Sequence, residues 1–489
     1  MVTIFLILIP LIAGLLSFFV KEDRGVKLIS LASSIAVLVF SLLGLTIWKD
    51  DSYLQFSAAW MQTLGSSFSL KLDGMGQILC LLNAIAYVYL SLSSWHNSYS
   101  KPSNFFGWLL LAQAGMMGVF MATDALLFYF FWELALIPMY FLCSQWGGAN
   151  RIAVSFKFFI YTFVGSVLML IGILYVQSLT PDHSFSLSSF YSLKIPVATQ
   201  SWLFWLFFIA FAVKMPLFPF HTWQPDTYEQ SPTSVTMILS GVMVKMGLLG
   251  VIRWLVPVLP LASYLWGDVA MSLGLIGIVY GSLLAIRQDD LKRLVAYSSI
   301  AHIGLMSMAI FSENVFSIQG ALLQMFNHGI NIIGIWILLD IIERRFGTRK
   351  ISELGGIAQK SPTLAIFFVI IALANTALPL TNGFVGEFLM FNGLLSARSN
   401  YYLVFTVVAG LGIILSAVYT LNMIRKSFYG DANAVTSQVV TLKLTDKIVL
   451  STIVILILVI GIYPQIILDV TKDFSNELFQ KIDISYLFR

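Results

Sequence analysis

The stretch "AFAVKMPLFPFHTW", residues 210–223, interrupts an apolar run that is long enough to cross a membrane. It contains Lys214, Pro216, Pro219 and His221. Proline inside a helix removes a backbone hydrogen bond and breaks or kinks the helix, so the stretch predicts a broken transmembrane helix with a charge beside the break. Backbone groups freed at that depth must be satisfied by protein or water, which indicates a hydrated interior.

The whole chain has the composition of an integral membrane protein. Of its 489 residues, 58% are hydrophobic and 11% are charged, and the mean hydropathy is +0.87. A soluble domain of this size needs more charge to cover its surface. Residues 1–20 are apolar over a full crossing and precede the charges of "KEDRGVK", so we expect a retained span rather than a cleaved signal peptide.

Two cysteines and a small net charge exclude several classes of function. Cys80 and Cys143 lie in apolar runs without a CxxC pattern, which argues against a disulfide framework, a zinc site or an iron–sulfur cluster in this chain. The net charge of +4 follows the loops and forms no basic face, so no nucleic-acid partner is expected. We expect no cofactor and no metal in this chain.

Apolar windows of about twenty residues predict an all-α polytopic membrane protein with about 14 transmembrane helices in a single membrane domain, residues 1–489. The window 363–396 is too long for one straight crossing and is predicted to break near Pro379 and Gly383, so spans 7 and 12 are the broken helices. The predicted spans are 2–20, 28–48, 76–95, 105–122, 125–146, 155–178, 201–222, 232–255, 266–286, 293–311, 316–341, 363–396, 402–424 and 447–468.

The distribution of lysine and arginine predicts the orientation. Eighteen lie in or next to the odd-numbered loops and eight in or next to the others, while Lys214 and Lys245 lie inside spans. Because positive loops stay in the cytoplasm, we expect "KEDRGVK", "RQDDLKR", "ERRFGTRK" and "RKSFYG" there and both termini on the outer, periplasmic side.

Buried ionisable residues are the candidate functional groups, because a charge at mid-bilayer costs about 2.5 to 3.5 kcal/mol on insertion scales. Burial disfavours the charged form of lysine or glutamate and a nearby opposite charge favours it, so a Glu/Lys pair of variable separation can act as a proton switch. The predicted proton-transfer residues are Glu133, Lys214, Lys245, His302, His328 and Glu387, and a possible axis or gate role falls to Lys157 and His221.

Structural roles compete with these assignments. A buried histidine often only bonds a backbone carbonyl, which leaves both roles open for His302 and His328. Lys157 follows Arg151 near a span entrance and can extend its amine to the cytoplasmic surface. His221 lies near the cytoplasmic end of its span, where a structural or gate-lining role is expected rather than a central one.

The spacing of the candidate residues predicts an internal repeat. Lys214 and Glu387 are 173 residues apart, and the pairs Glu133/His302 and Lys157/His328 are 169 and 171 apart. The near-constant offset predicts that spans 4–8 (residues 105–255) repeat as spans 9–13 (residues 266–424). Each unit has five helices, an odd number, so the second copy must be inverted relative to the first.

Three motifs carry a family resemblance: "FFWELALIPMYFL", "KMPLFPFHTWQPDTYEQSPTSVTMILSGVMVKMGLLG" and "DDLKRLVAYSSIAHIGLMSM". They resemble the antiporter-like membrane subunits of respiratory complex I, over almost the whole chain. The resemblance implies fourteen core helices with inverted five-helix repeats and proton translocation coupled to quinone reduction elsewhere. It also implies two paralogous antiporter-like subunits among the complex I partners, FMN, iron–sulfur clusters and quinone in partner subunits, and a bacterial inner membrane location.

The resemblance also implies roles for single residues. Glu133 matches the fifth-helix glutamate that pairs with the seventh-helix lysine, here Lys214. Lys245 matches the eighth-helix lysine of a central hydrophilic axis, which His302 and His328 continue, and Glu387 matches the twelfth-helix exit residue.

Glutamate at position 387 favours the middle antiporter-like subunit, the chain M type, because the paralogues usually carry lysine there. The largest paralogue adds a long lateral helix after its core, and from the tail "KDFSNELFQKIDISYLFR" we expect no such helix here. Two other functions stay open. One is a subunit of a Mrp-type sodium/proton antiporter or a membrane-bound hydrogenase. The other is a structural spacer with vestigial charges, which the cost of several buried charges disfavours.

Overall fold

The computed structural model describes residues 1–482, a bundle of helices with one small β-hairpin. Residues 483–489 of the predicted tail lie outside the described residues. The described helices are α1 Val2–Ser17, α2 Asp23–Thr46, α3 Asp51–Leu54, α4 Gly74–Ser93, α5 Pro102–Met121, α6 Ala125–Trp146, α7 Arg151–Leu179, α8 Leu187–Ser192, α9 Val197–Lys214, α10 Trp223–Gln230, α11 Thr233–Ile238, α12 Val244–Gly250, α13 Pro260–Arg287, α14 Leu291–Phe311, α15 Val315–Phe346, α16 Ile357–Lys360, α17 Pro362–Asn375, α18 Asn382–Leu395, α19 Tyr402–Phe428, α20 Leu444–Ile462 and α21 Gln465–Ile482.

The predominantly helical membrane fold is confirmed. Within residues 1–482, twelve helical segments are long and apolar enough to cross a membrane, and α1 and α17 are shorter apolar helices. Fourteen as the exact number of spans stays a prediction. The last predicted span, 447–468, ends earlier in the structure, at Ile462, because Pro464 separates α20 from α21.

Both predicted breaks are present. After α9 ends at Lys214, the chain runs through Pro216 and Pro219 without regular helix until α10 begins. The second break separates α17 from α18 and contains Pro379. Each break follows from proline chemistry, because a proline cannot donate to the preceding turn.

Irregular helix also occurs in the segment Thr233–Leu255, which is completely buried. It alternates α11 and α12 with two π-helical stretches, Leu239–Met243 and Val251–Leu255. A π-turn widens the helix and frees backbone groups from the regular ladder, so such turns occur often at functional positions.

One surface of the bundle carries a β-hairpin that the all-α prediction lacked. Strand β1, Gln55–Met61, pairs with β2, Ser66–Lys71, in antiparallel register, and a 3₁₀ turn joins them. Gly65 has a φ of +79°, and a Cβ there would lie 2.1 Å from the His183 carbonyl oxygen, so only glycine fits this turn. The hairpin escaped detection because most of its residues are exposed or half-buried and it has no apolar crossing.

We call this surface the hairpin face and the opposite surface, which carries Lys157, Arg293 and Arg349, the ion-pair face. The spans between the two faces form an inner and an outer set. The most apolar windows of α14 and α15 are 94% buried, against 33% for those of α2, α19 and α20. The inner helices therefore present their polar side chains to protein, and the outer ones present apolar surface outward.

Candidate functional site

Lys245 and His328 form the centre of a buried polar chain. Lys245, on α12, is fully buried, and its Nζ lies 2.9 Å from His328 Nδ1 on α15. The same Nζ donates to the Ser240 carbonyl oxygen at 2.9 Å. Ser240 lies in the first π-helical stretch, five residues before Lys245, so the local widening of the helix supplies the lysine with an acceptor.

His302 and Glu387 form the next part of the chain. Nδ1 of His302, on α14, lies 3.4 Å from Oε1 of Glu387, on α18, and both residues are buried. On the other side of the ring, Nε2 of His302 lies 3.3 Å from the amide nitrogen of Asn375. Asn375 is the last residue of α17, and Glu387 lies on α18. The second helix break, which separates these two helices, therefore lies between the two neighbours of His302.

The two histidines connect these pairs. Their ring centroids are 5.5 Å apart, and Nε2 of His328 is buried without a hydrogen-bond partner among the protein atoms. The structure therefore brings four of the predicted residues together in the order Lys245, His328, His302 and Glu387. Groups at these separations can pass a proton through small ring rotations or one bridging water.

Lys214 and Glu133 form a second, separate pair. Lys214 is buried, and its Nζ lies 5.2 Å from the centroid of the Trp132 ring. Glu133 Oε1 and Lys214 Nζ are both buried without a hydrogen-bond partner, so the two residues do not form a direct ion pair, although they interact electrostatically. Ser166 of α7 approaches the Glu133 carboxylate.

Helix α12, which carries Lys245, is in contact with helix α9, which carries Lys214. A Cβ on Gly247 would lie 2.7 Å from the Phe211 carbonyl oxygen, so the backbone of α12 packs directly against the end of α9. This contact is two residues from Lys245 and three from Lys214. No hydrogen bond between Lys214 and Lys245 is present in the described part of the chain.

Lys157 lies at the ion-pair face rather than in the buried chain. Its Nζ pairs with Asp226 at 2.9 Å, and Asp226 also pairs with Arg293 at 3.1 Å. Arg293 reaches Glu229 at 2.7 Å, which in turn pairs with Arg349 at 3.0 Å. The network holds α10, the helix after the first break, between α7 and α14.

Arg349 keeps its charge in this network. Partial burial alone lowers the pKa of its guanidinium, but the neighbouring carboxylates Asp290, Glu343 and Glu229 outweigh it and raise that pKa above its usual value. Arginine in such a setting is a fixed cation.

His221 lies within the first break and is nearly buried between two aromatic rings. Its ring centroid is 5.6 Å from that of Phe218 and 5.4 Å from that of Tyr280. The structure does not place it in contact with the chain of Lys245, His328, His302 and Glu387.

Several polar residues around the site were not predicted from the sequence. Ser298 and Tyr419 form a hydrogen bond of 2.9 Å, and Asn375 donates to Ser298 at 3.4 Å. Hydroxyl and amide side chains are uncharged and common in membrane helices, so composition gives no signal for them. Only the position of Asn375 directly before a helix break could have drawn attention to it.

The described residues show no metal centre. Within residues 1–482, no group of three or more His, Cys, Asp and Glu side chains is arranged to hold a metal ion. Cys80 and Cys143 are both buried free thiols.

A multi-pass bundle with two broken helices and a buried chain of ionisable groups defines the class of antiporter-like membrane subunits. A family model described as NADH:quinone oxidoreductase/Mrp antiporter, transmembrane, matches residues 122–413. NADH-quinone oxidoreductase subunit M of Rickettsia typhi is 35% identical over 482 residues, covering 96% of each chain. The subunit of that name in Escherichia coli K12 is 34% identical over 510 residues, covering 97% of each chain.

Solved structures agree. A chain of the respiratory complex I from Thermus thermophilus with bound NADH aligns with a TM-score of 0.91 and 26% identity, covering 99% of this chain and all of that one. A chain of the Mrp complex from Dietzia sp. DQ12-45-1b aligns with a TM-score of 0.86 at 17% identity and shares the fold. The chain belongs to the NADH:quinone oxidoreductase/Mrp antiporter membrane family, in its subunit M group, and the resemblance found in the sequence is confirmed.

Proposed function

We propose that this chain translocates protons as the M-type membrane-arm subunit of a proton-translocating NADH:quinone oxidoreductase, an enzyme complex whose electron transfer takes place in other subunits. The observation that carries the proposal is the buried chain from Lys245 through His328 and His302 to Glu387. A purely structural role does not explain why four ionisable residues on four helices meet in the membrane interior, where each raises the free energy of membrane insertion.

The proposed path begins near Lys245 and ends beyond Glu387. A proton reaches Lys245 from the ion-pair face, passes to His328 over 2.9 Å and then to His302, whose ring is 5.5 Å away. Glu387 accepts it from His302 over 3.4 Å and releases it toward the hairpin face. Protonating one member of such a chain changes the proton affinity of the next, so the groups titrate together.

The separated Glu133 and Lys214 form the proposed control element. When Glu133 approaches, it stabilises the protonated lysine, and when it withdraws, burial favours proton release. Energy from quinone reduction elsewhere would act by changing this separation. Because α12 packs against the end of α9, a change at Lys214 can reach Lys245 through direct backbone contact.

Orientation and location follow from the distribution of charge. The ion-pair face collects the arginine- and lysine-rich loops, so we assign it to the cytoplasm and the hairpin face to the outside, with both termini. The relatives reported above are bacterial, which supports a bacterial inner membrane. The inverted repeat over 105–255 and 266–424 remains part of the proposal, supported by one helix break in each unit.

The proposed partners are the other membrane subunits of the complex, including two paralogous antiporter-like subunits, together with bilayer lipid around the exposed apolar helices. FMN, iron–sulfur clusters and quinone are assigned to partner subunits. A Mrp-type sodium/proton antiporter is the weaker alternative, because the likeness to the Mrp chain reaches 17% identity and shows only the fold.

The test is to replace Lys214 by alanine in the complete complex and measure protons moved per NADH oxidised in sealed membrane vesicles. We expect the ratio to fall while the complex still assembles and binds flavin. Pumping at full stoichiometry by an assembled Lys214→Ala complex would overturn the role of the control element.

A further inference from the structure

Two cavities lie in series between the buried chain and the hairpin face. The inner cavity, about 30 Å³, adjoins His302 and Glu387 and is also lined by Ile278 and Leu305. The outer cavity, about 220 Å³, is nearer the hairpin face. The inner volume holds about one water molecule, whereas the outer one holds several. The outer cavity is lined by Asp268, Met271, Phe311, Ser312, Glu313 and Arg398.

Helices α13 and α14 each contribute residues to both cavities and connect one cavity to the other. On α13, Ile278 borders the inner cavity and Met271 the outer one. On α14, which runs antiparallel, Leu305 borders the inner cavity and Phe311 the outer one. At a rise of about 1.5 Å per residue, each helix separates the cavities by roughly 10 Å.

The two helices cross closely at the inner end of the wall between the cavities, where Gly304 adjoins the inner-cavity residue Leu305. A Cβ on Gly274 would lie 2.8 Å from the Gly304 carbonyl oxygen, and one on Gly304 would lie 2.6 Å from that of Gly274. The side chain of Met308 closes the same crossing, with its Cγ 2.8 Å from the position of the Gly274 Cβ. Gly274 and Met308 lie between the cavity-lining residues of their helices, so the wall includes packed backbone and one apolar side chain.

The far side of the wall is polar. Asp268 lines the outer cavity together with the ion pair of Glu313 and Arg398, whose charged atoms are 3.5 Å apart. Arg398 also lies over the ring of Phe479 on α21, at 6.0 Å, which places this cavity beside the terminal helix on the hairpin face. A proton that leaves Glu387 and crosses the wall thus arrives among carboxylates.

We propose that the crossing of Gly274, Gly304 and Met308 is the closed exit gate for protons, and that the cavity with Asp268 and Glu313 is its outer mouth. The inference rests on the proposed function, because it assigns the release step of that path. An apolar constriction excludes water and so blocks proton movement, and it opens when it becomes wide or polar enough to hold water.

The experiment opens the gate by substitution. Met308→Ser is introduced into the complete complex, and the decay of an imposed pH gradient is followed in sealed vesicles without NADH. The matched control is Met306→Ser on the same helix, since Met306 is equally buried and borders neither cavity. Met271→Ser, at the edge of the outer cavity, is the second opening variant should the first not assemble.

We expect the gradient to decay at least about threefold faster in the opening variant than in the control, as for a wetted constriction. Adding Lys245→Met to the opening variant should restore slow decay, because the leaking protons must pass through Lys245 and the two histidines. Equal decay in the Met308→Ser and Met306→Ser complexes would overturn the gate. A fast leak that persists with Lys245→Met would also overturn the gate, because it would show that protons cross without passing through Lys245. Full pumping by the single Lys245→Met complex would instead remove the proposed function itself.

Discussion

Lys245→Met separates the chemical role of Lys245 from its packing role. Methionine has a similar length and keeps the apolar stem, but it has no ionisable group. The substitution removes two contacts of 2.9 Å, to His328 Nδ1 and to the Ser240 carbonyl. Leaving the Ser240 carbonyl and His328 Nδ1 without their partner costs about 1–3 kcal/mol each, while a buried amine no longer needs desolvation. Because these effects oppose each other, we expect the complex to assemble with a stability change below about 2 kcal/mol.

The effect on proton flux should be much larger. Without Lys245, a proton has no titratable carrier before His328, and an unpaired charge in the protein interior costs several kcal/mol. At about 1.4 kcal/mol for each factor of ten, a barrier raised by 3 kcal/mol slows transfer more than about a hundredfold. Pumping through this subunit should therefore be lost.

The assay is NADH-driven acidification of sealed vesicles, normalised to the flavin content of the complex. Lys245→Arg supplies the critical comparison, since arginine keeps the positive charge but does not release its proton in proteins. Both variants should fail to pump through this chain. An assembled Lys245→Arg complex that pumps as well as the natural one would refute the proposed transfer through position 245, because it would show that a fixed charge suffices.

Two further predictions concern charges outside the buried chain. Arg253 is 1% exposed and donates to both carboxylate oxygens of Asp73, at 2.7 and 2.6 Å, and to the Phe120 carbonyl, so Arg253→Met should destabilise the chain by about 3–5 kcal/mol. Thermal unfolding of the purified complex measures this, and an unchanged midpoint would contradict it. Lys157 is about one-third exposed in its pair with Asp226, so Lys157→Ala should cost less than about 1 kcal/mol and leave pumping nearly intact. Loss of pumping in that variant would instead support a gate role.

The membrane class and both helix breaks could be predicted from the sequence. A membrane span needs about twenty apolar residues, so spans can be read from apolar windows. The prolines at 216, 219 and 379 break a helix at their own positions, through the backbone. Lys214, Lys245 and Glu387 could also be predicted, because a charge inside an apolar window is visible in the sequence alone.

The hairpin and the ion-pair network could not be predicted in this way. Most hairpin residues are exposed or half-buried, and the segment contains no apolar run long enough to cross a membrane, so its sequence gives no signal of this kind. Arg293, Asp226 and Glu229 lie in loops or near helix ends, where charge is ordinary, and their mutual contacts depend on how α10 docks against α14.

The sequence by itself determined which residues are ionisable, that they lie inside membrane spans, and where the helices break. These properties depend on local composition and on the backbone chemistry of proline. The tertiary structure alone decided that Lys245 meets His328 and His302 meets Glu387, while Glu133 and Lys214 remain apart. The contacts join helices far apart in the chain, and helix packing sets their distances. A charge inside an apolar window shows that a residue lies within a span but not which partner it faces.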